Sequence, residues 1–290
     1  MLSTLGQLVV DGLVTGFVYV ILAVGLLLIL SVSRIFFIAY GQFYMLGAYI
    51  VWGCLALLKI PFFLGLPIAV AATGVLGALC YQFIFRFITH KDQFLANIVA
   101  AIAVMMIMGQ AGLLVFGTIA RSVPPVFPGI LSVGNISIPN EKLALVVLTL
   151  TITAAAFIIY EKTKIGRGMR AVALSPEAAT LQGVKTEGVC RATMAFGCAL
   201  AGFGGGAMAP VYVIYPGMGS NIILSVMLVI MLGGMGSMVG AVLGGLVLGV
   251  TLVFGQYFLG SVAQIFLFVV IGVIIYFRPG GLLGNTELEM

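Results

Sequence analysis

The side chains that most often carry enzyme chemistry are scarce in this chain of 290 residues. The single histidine, His90, stands beside Lys91 and Asp92, so no cluster of histidines is available to bind a metal ion. The sequence has no Gly-x-Ser-x-Gly motif and no Ser-His pair suited to nucleophilic catalysis. Its cysteines lie in or beside apolar segments without a Cys-x-x-Cys pair, which is typical of free buried thiols: Cys54, Cys80, Cys190 and Cys198. We therefore expect a protein that is not an enzyme and carries no metal or cofactor.

Uncharged polar residues inside long apolar segments are more informative. Four could line a path for a solute, because polar groups are costly against lipid and tend to face a cavity: Tyr40, Gln42, Asn97 and Gln110. A hydrogen bond between two helices is the alternative for each, and it is favoured for Asn97 and Gln110. Asp11 lies near a segment end, and no later Asp or Glu falls inside a segment. This disfavours coupling to protons or sodium ions through buried carboxylates.

The elements that position these residues must be membrane helices. Hydrophobic residues make up 62% of the chain and charged residues only 7%, with a mean hydropathy of +1.28, whereas an average soluble domain carries roughly 25% charged residues. A chain of this composition is not a soluble enzyme, a nucleic-acid binder or a disordered protein. We expect an integral membrane protein.

The charged residues delimit six uncharged stretches, and internal breaks divide the last of them, 192–277, into four, which gives nine apolar segments. Crossing a bilayer takes about 20 apolar residues in a helix, and the short seventh segment need not cross fully, so eight to nine spans are expected. The predicted fold is an all-α polytopic transmembrane bundle, forming one domain over residues 1–290. The segments are 12–33, 35–58, 60–85, 93–120, 143–160, 192–215, 222–232, 238–257 and 262–277.

Lysines and arginines in the connections predict the orientation. With the N-terminus outside and nine spans, ten basic residues lie inside and three outside, as the positive-inside rule requires. The C-terminus is then inside, the proline-rich segment 118–142 is an irregular external loop, and 161–191 is an internal loop. The net charge of +5 thus reflects topology and does not indicate a nucleic-acid partner.

The internal loop contains a helix signal at 176–182. Ser175 suits the N-cap, Pro176 the first helical position and Glu177 the positive helix start, while Gly183 suits the C-terminal stop. Such a helix is either a solvated connector, a segment lying on anionic lipid head groups, or a docking element for a cytoplasmic partner.

Glycines recur at four-residue spacing in the later segments, as they do in closely packed membrane helices. The spacing is equally compatible with packing inside one subunit and with an interface or sliding surface. The glycines concerned are Gly236, Gly240 and Gly244 in one row and Gly245 and Gly249 in a second.

Four stretches together resemble the permease subunits of branched-chain amino-acid (Liv-type) ABC transporters. The first is Gly16–Leu30 followed by Ala39–Tyr49. The second is the internal loop, with Gly-Arg-x-x-Arg-Ala and Glu-Ala-Ala-x-Leu-x-Gly-Val between 166 and 184. The third is Val229–Gly249 and the fourth Arg278–Gly284. They extend over nearly the whole chain, and the last three are specific only as a set.

The resemblance implies an ATP-driven importer in a bacterial inner membrane, and the orientation predicted from the basic residues then places the N-terminus in the periplasm and the C-terminus in the cytoplasm. Its implied partners are two ATPase subunits, a second similar permease, a periplasmic solute-binding protein and membrane lipid. The chain has no Gly-x-x-x-x-Gly-Lys-Ser/Thr loop of its own. The coupling role of the family's loop helix falls here on Ser175, Pro176, Glu177, Ala178, Ala179, Leu181 and Gly183. A secondary transporter or channel without an ATPase is the alternative.

The chain departs from the family pattern at one place. Family members commonly have Asn-Phe-Ala-His-Gly, where this sequence has Phe37-Ile38-Ala39-Tyr40-Gly41. If this region lines the solute path, a solute other than a leucine-like amino acid becomes a hypothesis.

Overall fold

The structure is a computed structural model and describes residues 2–89, 94–127, 129–133, 136–234, 236–277, 281 and 283. His90, Lys91 and Asp92 lie outside the described residues, as do Pro128, Met235, residues 278–280 and residues 282 and 284.

Helices account for most of the described chain, and each predicted apolar segment overlaps one of them. They are α1 Leu2–Ser33, α2 Tyr40–Ala56, α3 Phe62–Cys80, α4 Arg86–Thr89, α5 Phe94–Phe116, α6 Asn140–Lys162, α7 Lys164–Leu174, α8 Pro176–Leu181, α9 Thr186–Met208, α10 Met218–Gly233, α11 Met238–Leu259 and α12 Ala263–Phe277. A π-helical turn, Tyr81–Phe85, joins α3 to α4, and a 3₁₀ turn, Gly260–Val262, joins α11 to α12.

Five helices of the described chain are long and apolar enough to cross a membrane: Thr4–Ser33, Phe62–Ile88, Leu95–Phe116, Asn140–Lys162 and Met238–Leu259. Two shorter apolar helices are Met218–Gly233 and Ala263–Val273. The helical membrane fold agrees with the prediction, and the count of eight to nine spans stays a prediction.

The loop expected to be irregular at 118–142 contains an antiparallel hairpin. Strand β1, Ile130–Val133, pairs with β2, Ile136–Pro139, with Ile130 opposite Pro139 and Val133 opposite Ile136. Two runs that alternate apolar residues with serine flank Gly134-Asn135 in the sequence, which is a hairpin signal. The prolines of segment 118–142 favoured an irregular loop, so the hairpin was not predicted.

The chain folds as two compact units, and the first comprises residues 1–27, 125–150 and 224–290. Here glycines bring helices close together: a Cβ on Gly245 would lie 2.7 Å from Val20 Cγ2, and one on Gly249 would overlap the backbone of Gly16. Nearby, Lys142 Nζ donates to Asp11 Oδ1 at 2.8 Å, so the carboxylate near the end of α1 is ion-paired.

The same unit contains the turn between α10 and α11. A Cβ on Gly240 would overlap the carbonyl of Gly233, and one on Gly281 would lie 2.6 Å from the nitrogen of Gly234. Gly236 stands outside α11 with φ +101° and open space where a Cβ would be. It serves the turn, whereas the other glycines of its row serve helix packing within the chain.

The second unit comprises residues 28–124 and 151–223. Its centre is the packing of α2, α3 and α9, where a Cβ on Gly205 would overlap the carbonyl of Tyr44 and one on Gly47 would overlap the backbone of Gly202. Between α1 and α2, Ile35, Phe37 and Ala39 are fully buried without forming a helix. Irregular backbone at membrane depth is tolerated only inside protein or beside a cavity.

Candidate functional site

Gln42 lies within the second unit at a junction of three helices. Its side chain is only 2% exposed, and its Nε2 donates to Ser220 Oγ at 3.3 Å. A Cβ on Gly109 of α5 would stand 3.7 Å from Nε2, and a Cβ on Gly219 of α10 would stand 3.1 Å from Oε1. Glycines thus form two walls of the niche that holds this amide.

The amide oxygen of Gln42 is buried and has no hydrogen-bond partner among the described residues. In this structure Nε2 is the amide atom that faces Ser220 Oγ. A buried polar atom without a partner costs roughly 1–3 kcal/mol, so the niche is suited to a donor from water or from a solute.

The beginnings of α2 and α10 meet directly beside this niche. A Cβ on Gly41 would overlap the carbonyl of Gly219, and a Cβ on Gly219 would lie 2.5 Å from the carbonyl oxygen of Gly41. Only glycine allows this approach, which explains the small residues around Gln42 and Ser220. Ser220 was not among the predicted path residues. The break at Tyr215-Pro216-Gly217 did indicate that a new helix begins just before it.

Tyr40 and Phe37 occupy the positions where the chain departs from the family pattern. Tyr40 is 1% exposed, and in the part of the chain that the structure describes its hydroxyl has no hydrogen-bond partner. Phe37 is fully buried, with ring centroids 5.6 Å from both Phe43 and Phe85. Phe37 therefore belongs to an aromatic cluster in this conformation and does not face a path.

The other two predicted path residues lie apart from Gln42. Asn97 on α5 is 6% exposed, and no described residue forms a hydrogen bond with its Oδ1. Gln110 follows Gly109 on α5 and is exposed in the isolated chain. Within the described residues no hydrogen bond joins any two of Tyr40, Gln42, Asn97 and Gln110.

The loop helix α8 covers Pro176–Leu181, where the expected range is 176–182. Ser175 Oγ accepts from the backbone N–H of Ala178 at 3.3 Å, which makes Ser175 the N-cap. At the other end the Gly183 N–H donates to Thr180 O and the Val184 N–H to Ala179 O. With Gly183 at φ +83°, these two bonds form a Schellman cap.

The exposed face of α8 carries an unusual apolar side chain. Ala179 is buried against the protein, but Leu181 is 89% exposed and Leu174, just before the helix, is 84% exposed. Glu177 and Ala178 are exposed on the same helix. These two leucines are therefore available for contact with a partner, which is what a docking helix requires.

A further helix, α7, precedes α8 and was not predicted from the sequence. Thr163 Oγ1 caps it by accepting from the Gly166 N–H at 3.1 Å. Arg170 donates to the carbonyls of Tyr160 and Glu161 at the end of α6, which satisfies groups that a helix end leaves open. A Cβ on Gly166 would overlap the Tyr160 carbonyl. These contacts explain the Gly-x-x-x-Arg spacing of the loop.

The end of α8 adjoins a cavity of about 560 Å³ that also reaches the π-helical turn and the start of α9. On its wall, Arg86 Nε and Glu187 Oε2 form an ion pair at 3.1 Å, and Arg191 donates to Gln82 Oε1 at 3.2 Å. Both charged groups of the ion pair are 41% exposed, so water screens it and its contribution to stability is small. It links α9 to α4 near the loop helix.

Comparison with known proteins yields one consistent result. The family model described as "Branched-chain amino acid transport system / permease component" matches residues 8–277. The permease protein BraD of a high-affinity branched-chain amino acid transport system in Pseudomonas aeruginosa is 26% identical, over 98% of this chain and 97% of its own. LivH of Escherichia coli K12, another permease protein of such a system, is 25% identical over 98% and 96%.

An archaeal protein extends the range of relatives. The probable branched-chain amino acid transport permease protein LivH of Methanocaldococcus jannaschii is 25% identical over 90% of this chain and 85% of its own. No solved structure matches significantly.

Proposed function

Because the chain belongs to the family of branched-chain amino-acid transport permease components, we propose that it forms the membrane path for a branched-chain amino acid in an ATP-driven importer. The chain is a multi-pass membrane permease subunit of an ABC transport system, and its relatives are transport subunits and not enzymes. The observation that carries the proposal is the match over 98% of the chain to permeases of such systems.

The buried position of Phe37 supports a branched-chain solute. The aromatic residue replaces a family asparagine, but it packs against Phe43 and Phe85, so the departure leaves the lining of a path unchanged in this conformation. An apolar aliphatic side chain would pass the glycine-walled niche, while the polar ends of the amino acid would meet Gln42 and Ser220. Tyr40, with its unpartnered hydroxyl, is a second polar group of the path.

We assign the coupling role to α8. Its caps hold a two-turn helix rigidly, and its exposed Glu177, Ala178 and Leu181 are free to enter a groove on an ATPase subunit. Two ATPase subunits, a second similar permease and a periplasmic binding protein complete the proposed complex. The N-terminus is proposed to be periplasmic and the C-terminus cytoplasmic, because ten of the basic residues then lie inside.

Reconstitution tests this proposal against the alternative of a secondary transporter or channel. The chain is co-purified with its partners from the native membrane and placed in proteoliposomes, and uptake of leucine, isoleucine and valine is measured with and without internal or external ATP. We expect uptake only with ATP on the side of α8 and stimulation of ATP hydrolysis by solute-loaded binding protein. Uptake by the chain alone would overturn the proposal.

A further inference from the structure

A second groove lies within the second unit, between α7 and the beginning of α9. It has a volume of about 590 Å³, and three of its lining residues are cationic: Lys164, Arg167 and Lys185. None of the described residues that line it is acidic. It adjoins the cavity beside Arg86 and Glu187, and the two share the lining residues Val184, Lys185 and Gly188.

The three cations are not neutralised by the protein. All three are exposed, and in the part of the chain that the structure describes none of their side chains takes part in an ion pair. By contrast, the neighbouring Arg170 is engaged with the end of α6. Three like charges around one groove repel each other and attract an anion.

The groove lies beside the ends of two long helices, α6 and α9. Its first cation, Lys164, comes two residues after α6, a helix that is long and apolar enough to span a bilayer. Its last cation, Lys185, immediately precedes α9. Both walls therefore stand within about one helical turn of a helix end, and the end of a bilayer-spanning α6 would lie at the depth of lipid head groups.

The groove also has an apolar wall. Ile165 is 55% exposed, and Val189 and Ala192 line the side that continues into α9. On α7 the buried Met169 and Val172 lie four and seven residues after Ile165 and therefore on the same helix face, so Ile165 extends this apolar face to the groove. A cationic mouth beside an apolar wall is complementary to a phosphate group that carries acyl chains.

We infer that this groove binds the phosphate of an anionic phospholipid and that the lipid fixes α7 at the membrane surface. Such a lipid can reach the groove whichever face of the membrane α7 occupies and whichever solute the chain transports. Gly168 and Gly188 keep the groove open, since neither adds a side chain to its walls.

The test measures the thermal stability of the full chain in a neutral detergent during titration with dioleoylphosphatidylglycerol. We expect the melting temperature to rise with this lipid and not with dioleoylphosphatidylcholine. In the variant K164Q/R167Q/K185Q the apparent affinity should fall roughly 100-fold, since each basic residue near an anionic lipid contributes roughly a factor of five. The charge-preserving variant K164R/R167K/K185R should retain most of it.

A second variant removes the same number of positive charges elsewhere. R34Q/K59Q/R191Q lies outside the groove and should respond to phosphatidylglycerol as the unmodified chain does. An equal response in K164Q/R167Q/K185Q would overturn the inference. So would an identical stabilisation by inorganic phosphate, which would indicate a site for the free ion. An unchanged lipid response combined with loss of the co-purifying ATPase would show that the groove is a protein contact instead.

Discussion

At the scale of single residues, Gln42 combines deep burial with an unused hydrogen-bond acceptor. Its amide nitrogen donates to Ser220 Oγ, and no described residue donates a hydrogen bond to its amide oxygen. Other buried polar residues differ: the hydroxyl of Thr149 donates to Leu145 O at 2.8 Å within its own helix. Gln42 is therefore suited to bind a passing solute, whereas Thr149 has its hydrogen-bond partner within its own helix.

Replacement of Gln42 separates these two kinds of polar residue. For Gln42→Leu we expect an unchanged or slightly higher melting temperature, because an unsatisfied amide is removed. Uptake should fall about tenfold, the value of one hydrogen bond of roughly 1.4 kcal/mol. Thr149→Val, a substitution of similar size, should leave uptake unchanged. Equal uptake by Gln42→Leu and the unmodified chain would remove Gln42 from the path.

Two glycines of α2 allow a second prediction. A Cβ on Gly47 would overlap the backbone of Gly202, whereas a Cβ on Gly53 would meet nothing within 4 Å. Gly47→Ala should therefore destabilise the chain by about 3 kcal/mol through forced helix separation, and Gly53→Ala should not lower stability. Thermal unfolding in detergent measures both. A similar loss from both variants would mean that glycine acts here through backbone flexibility and not through close packing.

At the scale of elements, features that depend on residues close together in the sequence could be predicted, and features that depend on distant residues could not. Helix α8 was readable from sequence because its caps, Ser175 and Gly183, lie within nine residues. The role of Ser220 was not readable, because it depends on Gln42, 178 positions away. Gly236 has the same four-residue spacing as Gly240 and Gly244. Its backbone angle φ of +101° shows that it belongs to a turn, whereas the other two pack inside helices. Helix α7 had a readable cap in Thr163, but its charged face suggested a loop.

The exposure of α8 decides which substitutions test its coupling role. Ala179 is buried, so a bulky replacement there would disturb packing as well as docking. Leu181→Glu changes only an exposed face and should reduce ATP-driven uptake roughly tenfold or more, as expected for a side chain anchored in a partner's pocket. The amount of inserted chain should stay constant, as measured by immunoblotting of membranes.

The same change elsewhere provides the control for α8. Leu131 is 49% exposed on strand β1, and Leu131→Glu should leave the coupling of ATP hydrolysis to uptake intact. If Leu181→Glu transported at the normal rate, α8 would be a connector and the proposed docking surface would have to lie elsewhere.

At the scale of the whole molecule, the composition identifies an integral membrane protein. The packing of its helices depends on close approaches between their backbones. Lipid is as apolar as leucine, so apolar side chains alone provide little drive for membrane helices to associate. Glycine pairs such as Gly16 with Gly249 and Gly41 with Gly219 bring backbones together and select particular neighbours. The spacing along the chain reveals that such glycines exist but does not identify their partners. The sequence alone therefore could not distinguish packing inside one subunit from an interface between subunits.

Membrane orientation is the property of the whole chain that charge alone predicts. Strand β1 and helix α8 are separated in sequence by α6, which is long enough to span a bilayer, so they should lie on opposite sides. In intact cells a membrane-impermeant maleimide should label Leu131→Cys from outside and label Leu181→Cys only after permeabilisation. The unmodified chain gives the background, because three of its cysteines are buried and Cys80 is partly buried. Since ten basic residues against three set this direction, labelling of Leu181→Cys in intact cells would reverse both the topology and the side from which ATP acts.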